Sequence, residues 1–340
     1  MNRIQFHKAF KVVGPAVLPV IHVQDVNQVS RNIDLALGCG AQGVFLINHE
    51  FDVATFLPLL EACRTAFPSI WMGVNFLGVT GRVAFPLLGE MEQRGLAIDA
   101  YWADDARIEE RAENAFEAQE IAAVRSDSEW TGLYFGGTAF KKQRLVDPTH
   151  YVHAAAEATR WMDVVTTSGP ATGQTADRKK IADFRSGADD HPLAIASGIT
   201  PENVGDYARE VDAILVATGI NRPGDFYHID RSRLNRLLDN CRRTSVLEEN
   251  AKEGEDGKDQ RWYLRHMAPR VKDESYAWLD PSSAYINARA FDAMVDDLLA
   301  PFLSERIDLV AAVDAAGYVL GTALAAVSYT QLTLPTSDLE

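Results

Sequence analysis

Residues 162–185, MDVVTTSGPATGQTADRKKIADFR, decide how the rest of the chain reads. An apolar run ends at Ser168, then small residues, hydroxyls and two glycines follow, and a basic stretch of helical period takes over. Strand, tight polar loop and helix in that order form the repeating unit of parallel α/β folds. The unit recurs along residues 16–242, where short apolar runs alternate with amphipathic stretches. The runs are AVLPVIHV (16–23), GVFLINH (43–49), IWMGVNFL (70–77), AIDAYWA (97–103), TGLYFGGTAF (131–140), MDVVTTS (162–168), PLAIASG (192–198) and AILVATG (213–219). Eight strand-like runs within about 230 residues predict a (β/α)8 TIM barrel.

Between the runs, DVATFLPLLEACRTAF (52–67) repeats apolar residues at helical spacing. ARIEERAENAFEAQEIAAVRS (106–126) sets Glu and Arg three or four apart, as a solvated helix face does. TPENVGDYARE (200–210) reads as a helix with Thr200 as N-cap and Pro201 at the first helical position, and DRSRLNRLLDNCR (230–242) as the last helix.

The 340 residues are 47% hydrophobic, enough for one large core or two ordinary ones. A formal charge of -15 repels phosphate backbones and anionic membranes, so neither a nucleic-acid partner nor membrane insertion is expected. Cys39, Cys63 and Cys241 are scattered, without CxxC or Cys/His clustering, and read as reduced, buried thiols of a cytoplasmic protein with no structural zinc. The opening MNRIQFHKAFKVVGPAVLPVIHV has some signal-peptide character, but Pro15 and Pro19 interrupt it and no small-residue cleavage site follows. The stretch 307–327 is long enough for a bilayer, yet Asp308 and Asp314 inside it favour a buried strand, a turn and a helix.

The barrel domain is read as residues 1–247. EENAKEGEDGKD (248–259) has nothing to anchor it to a core and reads as an acidic linker. Residues 260–327 restart a second unit with one convincing strand, IDLVAAVD, flanked by helix. One strand cannot make a parallel sheet, so this α/β fragment reads as incomplete. VSYTQLTLPT (327–336) resembles the peptide translated from a transposase-type sequencing adapter, with Gln331 in place of its histidine. On that reading residues 328–340 are a non-native tail, although the Thr and Leu content also suits an edge strand.

In such barrels the site lies at the C-terminal strand ends, with phosphate commonly on the loops after strands 7 and 8. The last three strand ends are small and polar: Ser168, Gly169, Thr172 and Gly173, then Ser197, Gly198 and Thr200, then Thr218 and Gly219. Glycine lets a backbone N–H approach an anion, hydroxyls add donors, and a following helix N-terminus adds partial positive charge. One glycine-rich turn is ordinary turn chemistry, whereas three in succession predict an anion pocket. The other strand ends carry His22, Asn48, His49, Glu50, Asn75, Asp104, Asp105 and Lys141.

Each has a plain structural alternative. His22 fits a core histidine, and Asp104 and Asp105 fit caps of the helix expected from residue 106. Of Lys141 and Lys142 one points inward, where a lysine needs an anion. His22, Glu50, Asp104 and Lys141 are the catalytic candidates, with Asn75 joining the loop residues as a ligand contact. Lys179 and Lys180 open the following helix and are read as solvated. His22, His49 and Glu50 lack HxH or HExxH spacing, so no metal is expected. With no GxSxG elbow, Walker A loop or strand-borne GxGxxG, no cofactor is expected.

MDVVTTSGPATGQTADRKKIADFR, PLAIASGITPENVGDYAREVDAILVATGI and HIDRSRLNRLLDN resemble the strand 6 to 8 region of the BtpA family, barrels related to ribulose-phosphate-binding folds and named after a photosystem I biogenesis factor. PVIHV, LINHEFD, MGVNFLG and GGTAFK are similar to that family's earlier strand ends, so the resemblance covers residues 12–242. Asn221 and Arg222 stand where the family more often has a lysine after the strand 8 glycine. IDLVAAVDAAGYVLGTALA resembles the N-terminal half of an adenine-phosphoribosyltransferase-like domain, with Ala316 where that family usually has arginine. The family's phosphoribosyl-pyrophosphate loop is absent, which implies that this chain does not catalyse phosphoribosyl transfer.

Loops and resemblances together imply an enzyme domain for a small phosphorylated metabolite, a ribose phosphate or nucleotide. Glu50 or Asp104 would serve as general base and Lys141 would stabilise negative charge, in an isomerase-like or C–N-cleaving reaction. A non-enzymatic assembly factor of the BtpA type and a nucleotide sensor of a phosphoribosyltransferase are the competing readings. Either leaves room for a homo-oligomer.

Overall fold

The computed structural model describes residues 1–111, 115–141, 143–244, 268–273, 276–280, 285, 288–302, 307–312, 314–328 and 331–333. Lys142, the linker expected at 248–259 and the expected tail from residue 334 lie outside the described residues. The chain forms two compact units, Met1–Glu248 and Glu249–Glu340.

In the first unit eight strands close into a parallel barrel in sequence order, β8 pairing back onto β1. They are β1 (Ala16–His22), β2 (Val44–Ile47), β3 (Met72–Asn75), β4 (Ala100–Ala103), β5 (Leu133–Gly137), β6 (Val164–Ser168), β7 (Leu193–Ala196) and β8 (Ala213–Val216). Every one lies within a run read from the sequence. Side chains alternate across each strand. Leu18, Phe45, Trp102, Phe135, Val164 and Leu215 fill the interior, while Val74, Tyr101, Val165 and Ile214 turn outward onto the helices. Both faces are buried, which is why the runs are almost continuously apolar. The same period carries His22 and Asp104 to the mouth, two residues beyond the inward Val20 and Trp102.

The outer helices are α2 (Val26–Cys39), α3 (Val53–Ala66), α4 (Gly81–Gln93), α5 (Phe116–Asp127), α6 (Tyr151–Ala158), α7 (Arg178–Ala188) and α8 (Arg231–Arg242), preceded by α1 (Arg3–Phe10). Asp25, Asp52, Asp177 and Asp230 cap α2, α3, α7 and α8 by accepting a first-turn N–H. The three cysteines are free and buried, and burial pushes the Cys63 thiol up to about 11 and the Cys241 thiol to about 12.

The start of the opening segment with signal-peptide character, α1, lies at the barrel floor, and its end is β1. Phe6 of α1 joins the interior cluster, its ring 6.4 Å from that of Phe135. Asp212, just before β8 and fully buried, accepts from Arg3 Nε at 2.9 Å, Arg185 Nη1 at 3.0 Å and the Leu193 N–H at 2.9 Å, and lies 2.8 Å from His7 Nε2. Burial alone would raise this carboxyl's pKa; the His7, Arg3 and Arg185 partners more than offset it and hold it below the usual range.

Two helices differ from expectation. The one read from residue 106 begins only at Phe116, because Arg107 is left-handed (φ 59) with its N–H on Asp105 Oδ1, a turn that cannot continue as a helix. Asp105 therefore caps a turn. The helix expected at 200–210 is reduced to a 3-10 turn at Val204–Asp206. Asn203 takes the Thr200 N–H on its Oδ1 and donates from Nδ2 to Gly198 O, closing a local turn in place of the helix.

In the second unit, β9 (Ala268–Asp273) and β10 (Tyr276–Asp280) form an antiparallel pair, which the sequence reading missed because charges interrupt any apolar run there. The expected IDLVAAVD strand is present as β11 (Leu309–Ala311), with Leu309 exposed rather than buried, and Gln331–Thr333 pairs with it in parallel as β12. Two helices, α9 (Ala288–Leu299) and α10 (Asp314–Ser328), and a 3-10 turn at Ala300–Phe302 also belong to the described part. No described helix is long and apolar enough to cross a membrane.

Candidate functional site

A cavity opens at the C-terminal ends of the barrel strands. Its walls bring together His22, Asp104, Lys141, Thr172, Gly173, Ser197, Gly198, Thr218 and Gly219, all named from the sequence, with Val20, Ile47, Trp102 and Leu215 supplying apolar surface. Lys141 is the one lysine or arginine in this lining and Asp104 the one carboxylate, among the described residues. Lys141 Nζ donates to Thr172 Oγ1 at 3.4 Å, and its backbone N–H to Ser168 Oγ at 2.8 Å. Asp104 Oδ1 accepts from Asn75 Nδ2 at 3.1 Å.

His22 is more constrained than a core histidine needs to be. Its ring stacks on Phe226 with centroids 3.8 Å apart, and Nδ1 lies 3.2 Å from Phe226 O. A carbonyl only accepts, so Nδ1 carries the hydrogen and Nε2 is left as an acceptor. Burial, the His49 ring 5.4 Å away and Lys141 pull the pKa from 6.5 down to about 4, against the opposing pull of the Phe226 carbonyl. The ring is therefore neutral at pH 7, a hydrogen-bond acceptor with little strength as a base. Phe226 is held by Asn221, whose Nδ2 donates to the same carbonyl at 2.9 Å. Asn221 thus anchors the loop that orients His22.

The three small-residue loops nest against one another. A Cβ at Gly219 would sit 1.8 Å from Ile199 O, and one at Gly198, itself left-handed (φ 72), would sit 2.3 Å from the Thr175 N. These glycines are thus required by backbone packing whether or not an anion binds. Ser197 is the anomaly: a non-glycine residue at φ 73, whose hydroxyl is buried without a hydrogen-bond partner while the residue lines the cavity. The expected helix N-termini do not serve the cavity. Asp177 fills that of α7, only a 3-10 turn follows β7, and α8 begins at Arg231 behind Asp230.

Five candidates from the sequence lie outside the cavity lining. Glu50 is exposed and accepts from Tyr227 OH at 2.8 Å, because Ile47 is the last residue of β2 and the chain then turns away. Asn75 is fully buried beneath Asp104 as its hydrogen-bond donor. Ser168 is buried with its Oγ committed to the Lys141 N–H and Gly169 O. Gly169 belongs with Ser168 to a neighbouring groove. Thr200 takes part in the turn with Asn203, its Oγ1 accepting the Glu202 N–H. Beside these five, the strand-end residue Asn48, which is not one of the candidates, accepts the Leu77 N–H and donates to Phe51 O. No group of three His, Cys, Asp or Glu placed to hold a metal ion occurs among the described residues.

Lys180 corrects a second reading, while Lys179 is exposed and paired with Asp183 as a solvated helix residue should be. Lys180 instead turns inward, donating to Ala139 O at 2.6 Å and Ser168 O at 2.7 Å beneath the rings of Tyr151 and Phe184. Burial pulls its pKa from 10.5 down to about 8. It ties the loop carrying Lys141 to the loop carrying Thr172. No sequence signal marks it, since helical spacing alone does not say which of two adjacent lysines faces the barrel.

No family model matches the chain. The adenine phosphoribosyltransferase of Jannaschia sp. (strain CCS1) is 37% identical over 68 residues, 20% of this chain and 37% of that protein, so the chain spans little more than a third of that relative's length. Among solved structures, the tryptophan synthase alpha chain from Legionella pneumophila subsp. pneumophila matches with a TM-score of 0.50 at 14% identity, over 74% of this chain and 100% of that one. (S)-3-O-geranylgeranylglyceryl phosphate synthase from Thermoplasma acidophilum, in complex with its substrate sn-glycerol-1-phosphate, matches with a TM-score of 0.50 at 12% identity, over 72% of this chain and 100% of that one. The likeness is one of fold, the TIM barrel.

Proposed function

We propose that the barrel unit is an enzyme domain that takes a small phosphorylated metabolite, of the ribose phosphate or nucleotide type, at this mouth. The observation that carries the reading is Ser197. Left-handed backbone at a non-glycine residue costs about 1 kcal/mol or more, and strain of this kind collects where a ligand is held. Here it holds a buried, unpartnered hydroxyl in the wall of the cavity that the Lys141 and Thr172 pair also lines. A phosphate accepts from Ser197, Thr172 and Thr218 hydroxyls and meets its countercharge on Lys141. Asp104, the carboxylate of the lining, takes the general-base role, and the rim position of Glu50 removes it from that role. An isomerase-like or C–N-cleaving reaction on a BtpA-related barrel is the chemistry that fits. The synthase of the same fold captured with sn-glycerol-1-phosphate supports the architecture's capacity for such a ligand.

Thermal unfolding with millimolar inorganic phosphate, ribose 5-phosphate and nucleoside monophosphates tests this. Ligand at a hundred times its dissociation constant adds about 2.7 kcal/mol. Lys141→Ala, or Thr218→Asp at the exposed rim, should remove the gain. Absence of stabilisation by every one of these ligands overturns the proposal and favours the non-enzymatic assembly role.

A further inference from the structure

Trp102, whose side chain lines the same cavity, holds a second buried donor without a partner. The residue is 4% exposed on β4, packed between Phe45 and Phe140 with ring centroids 5.9 and 5.8 Å away, and its Nε1–H has no hydrogen-bond partner. The indoles of Trp130 and Trp161 show the ordinary arrangement, donating to Ile98 O and Glu157 Oε1 at 2.9 Å each. A buried donor left unpaired is costly and rare; Arg64 Nε and Tyr134 OH are others, and what sets Trp102 apart from these is its place in the cavity wall, where another molecule can supply the acceptor. Around it the cavity offers the opposite polarity: His22, whose Nδ1 is committed to Phe226 O and whose Nε2 only accepts, and the Asp104 carboxylate.

We propose that Trp102 recognises an oxygen on the part of the ligand beyond the phosphate, a carbonyl or ring oxygen accepting its indole N–H, while His22 and Asp104 accept from neighbouring hydroxyls. One donor beside two acceptors suits a hydroxylated carbon chain, so the ligand class is a sugar phosphate. The inference rests on the phosphate reading of the mouth. It adds to that reading a contact that phosphate alone does not make.

The test is the indole N–H resonance of 15N-labelled protein, assigned among the six tryptophans by its loss in Trp102→Phe. Inorganic phosphate should bind and leave it in place, whereas ribose 5-phosphate should move it downfield. Trp102→Phe keeps a ring in the core and removes the N–H. It should weaken ribose 5-phosphate about fivefold to tenfold and leave phosphate affinity unchanged. If both ligands bind while the resonance stays fixed, or Trp102→Phe binds ribose 5-phosphate as tightly as the parent, the Trp102 contact is overturned and the phosphate mouth stands. If neither ligand binds, the mouth reading fails and takes this one with it.

Discussion

At the N-terminal end of the barrel, Asp212 is wholly buried and meets Arg3, Arg185, His7 and the Leu193 N–H. At the C-terminal end, Ser197 and Trp102 keep buried donors without partners, Ser197 is left-handed, and His22 is held neutral. The two ends share strands and hydrophobic core, so the difference is local. The charges of the floor satisfy one another around Asp212, with His7 Nδ1 left without a partner, and open hydrogen-bonding capacity at the mouth is what a ligand can complete.

The largest effect belongs to the floor. Asp212→Asn leaves Arg3 and Arg185 buried without their countercharge and should cost about 3–5 kcal/mol in urea unfolding. The carboxyl's pKa is depressed in the folded state. The stability from its pairing is therefore complete above the ordinary value of 3.8 and is lost as pH falls through the lower folded value. The variant should flatten that acid limb. An unchanged acid limb would mean that the floor is not held by this network.

Lys180 tests a joint within the mouth, between the loops after β5 and β6, and Lys180→Met should cost about 2 kcal/mol by releasing Ala139 O and Ser168 O. Its folded pKa of about 8 lies below 10.5, so the unfolded chain binds the proton more tightly and stability should rise with pH across that interval. The variant should lose the rise, which pH-dependent denaturation reads directly. The smallest effect sharpens the contrast most. Ser197→Gly relieves the left-handed strain and should stabilise by up to about 1 kcal/mol while weakening phosphate binding about fivefold. A loss of stability there would make Ser197 a packing residue.

The barrel and its three polar loops were legible because they depend on local pattern. Parallel strands buried on both faces must be continuous apolar runs, and the residues where such runs end are the mouth. The site was legible in part for the same reason: His22, Asp104 and Lys141 stand at strand ends and do reach the cavity, whereas Glu50, also at one, does not. Trp102 could not be singled out, since inside an apolar strand an indole with a partner and one without look alike. Phe226 was hidden beyond β8, in a loop whose path depends on Asn221.

By itself, then, the order of apolar runs and helical stretches determined that the chain closes as a (β/α)8 barrel and which loops crown it, since strand and helix periods are set by neighbouring residues. Only the tertiary structure decided which groups share a cavity and which satisfy one another. His22 and Phe226 are 204 positions apart, Arg3 and Asp212 are 209 apart, and both pairs exist only because β8 closes on β1.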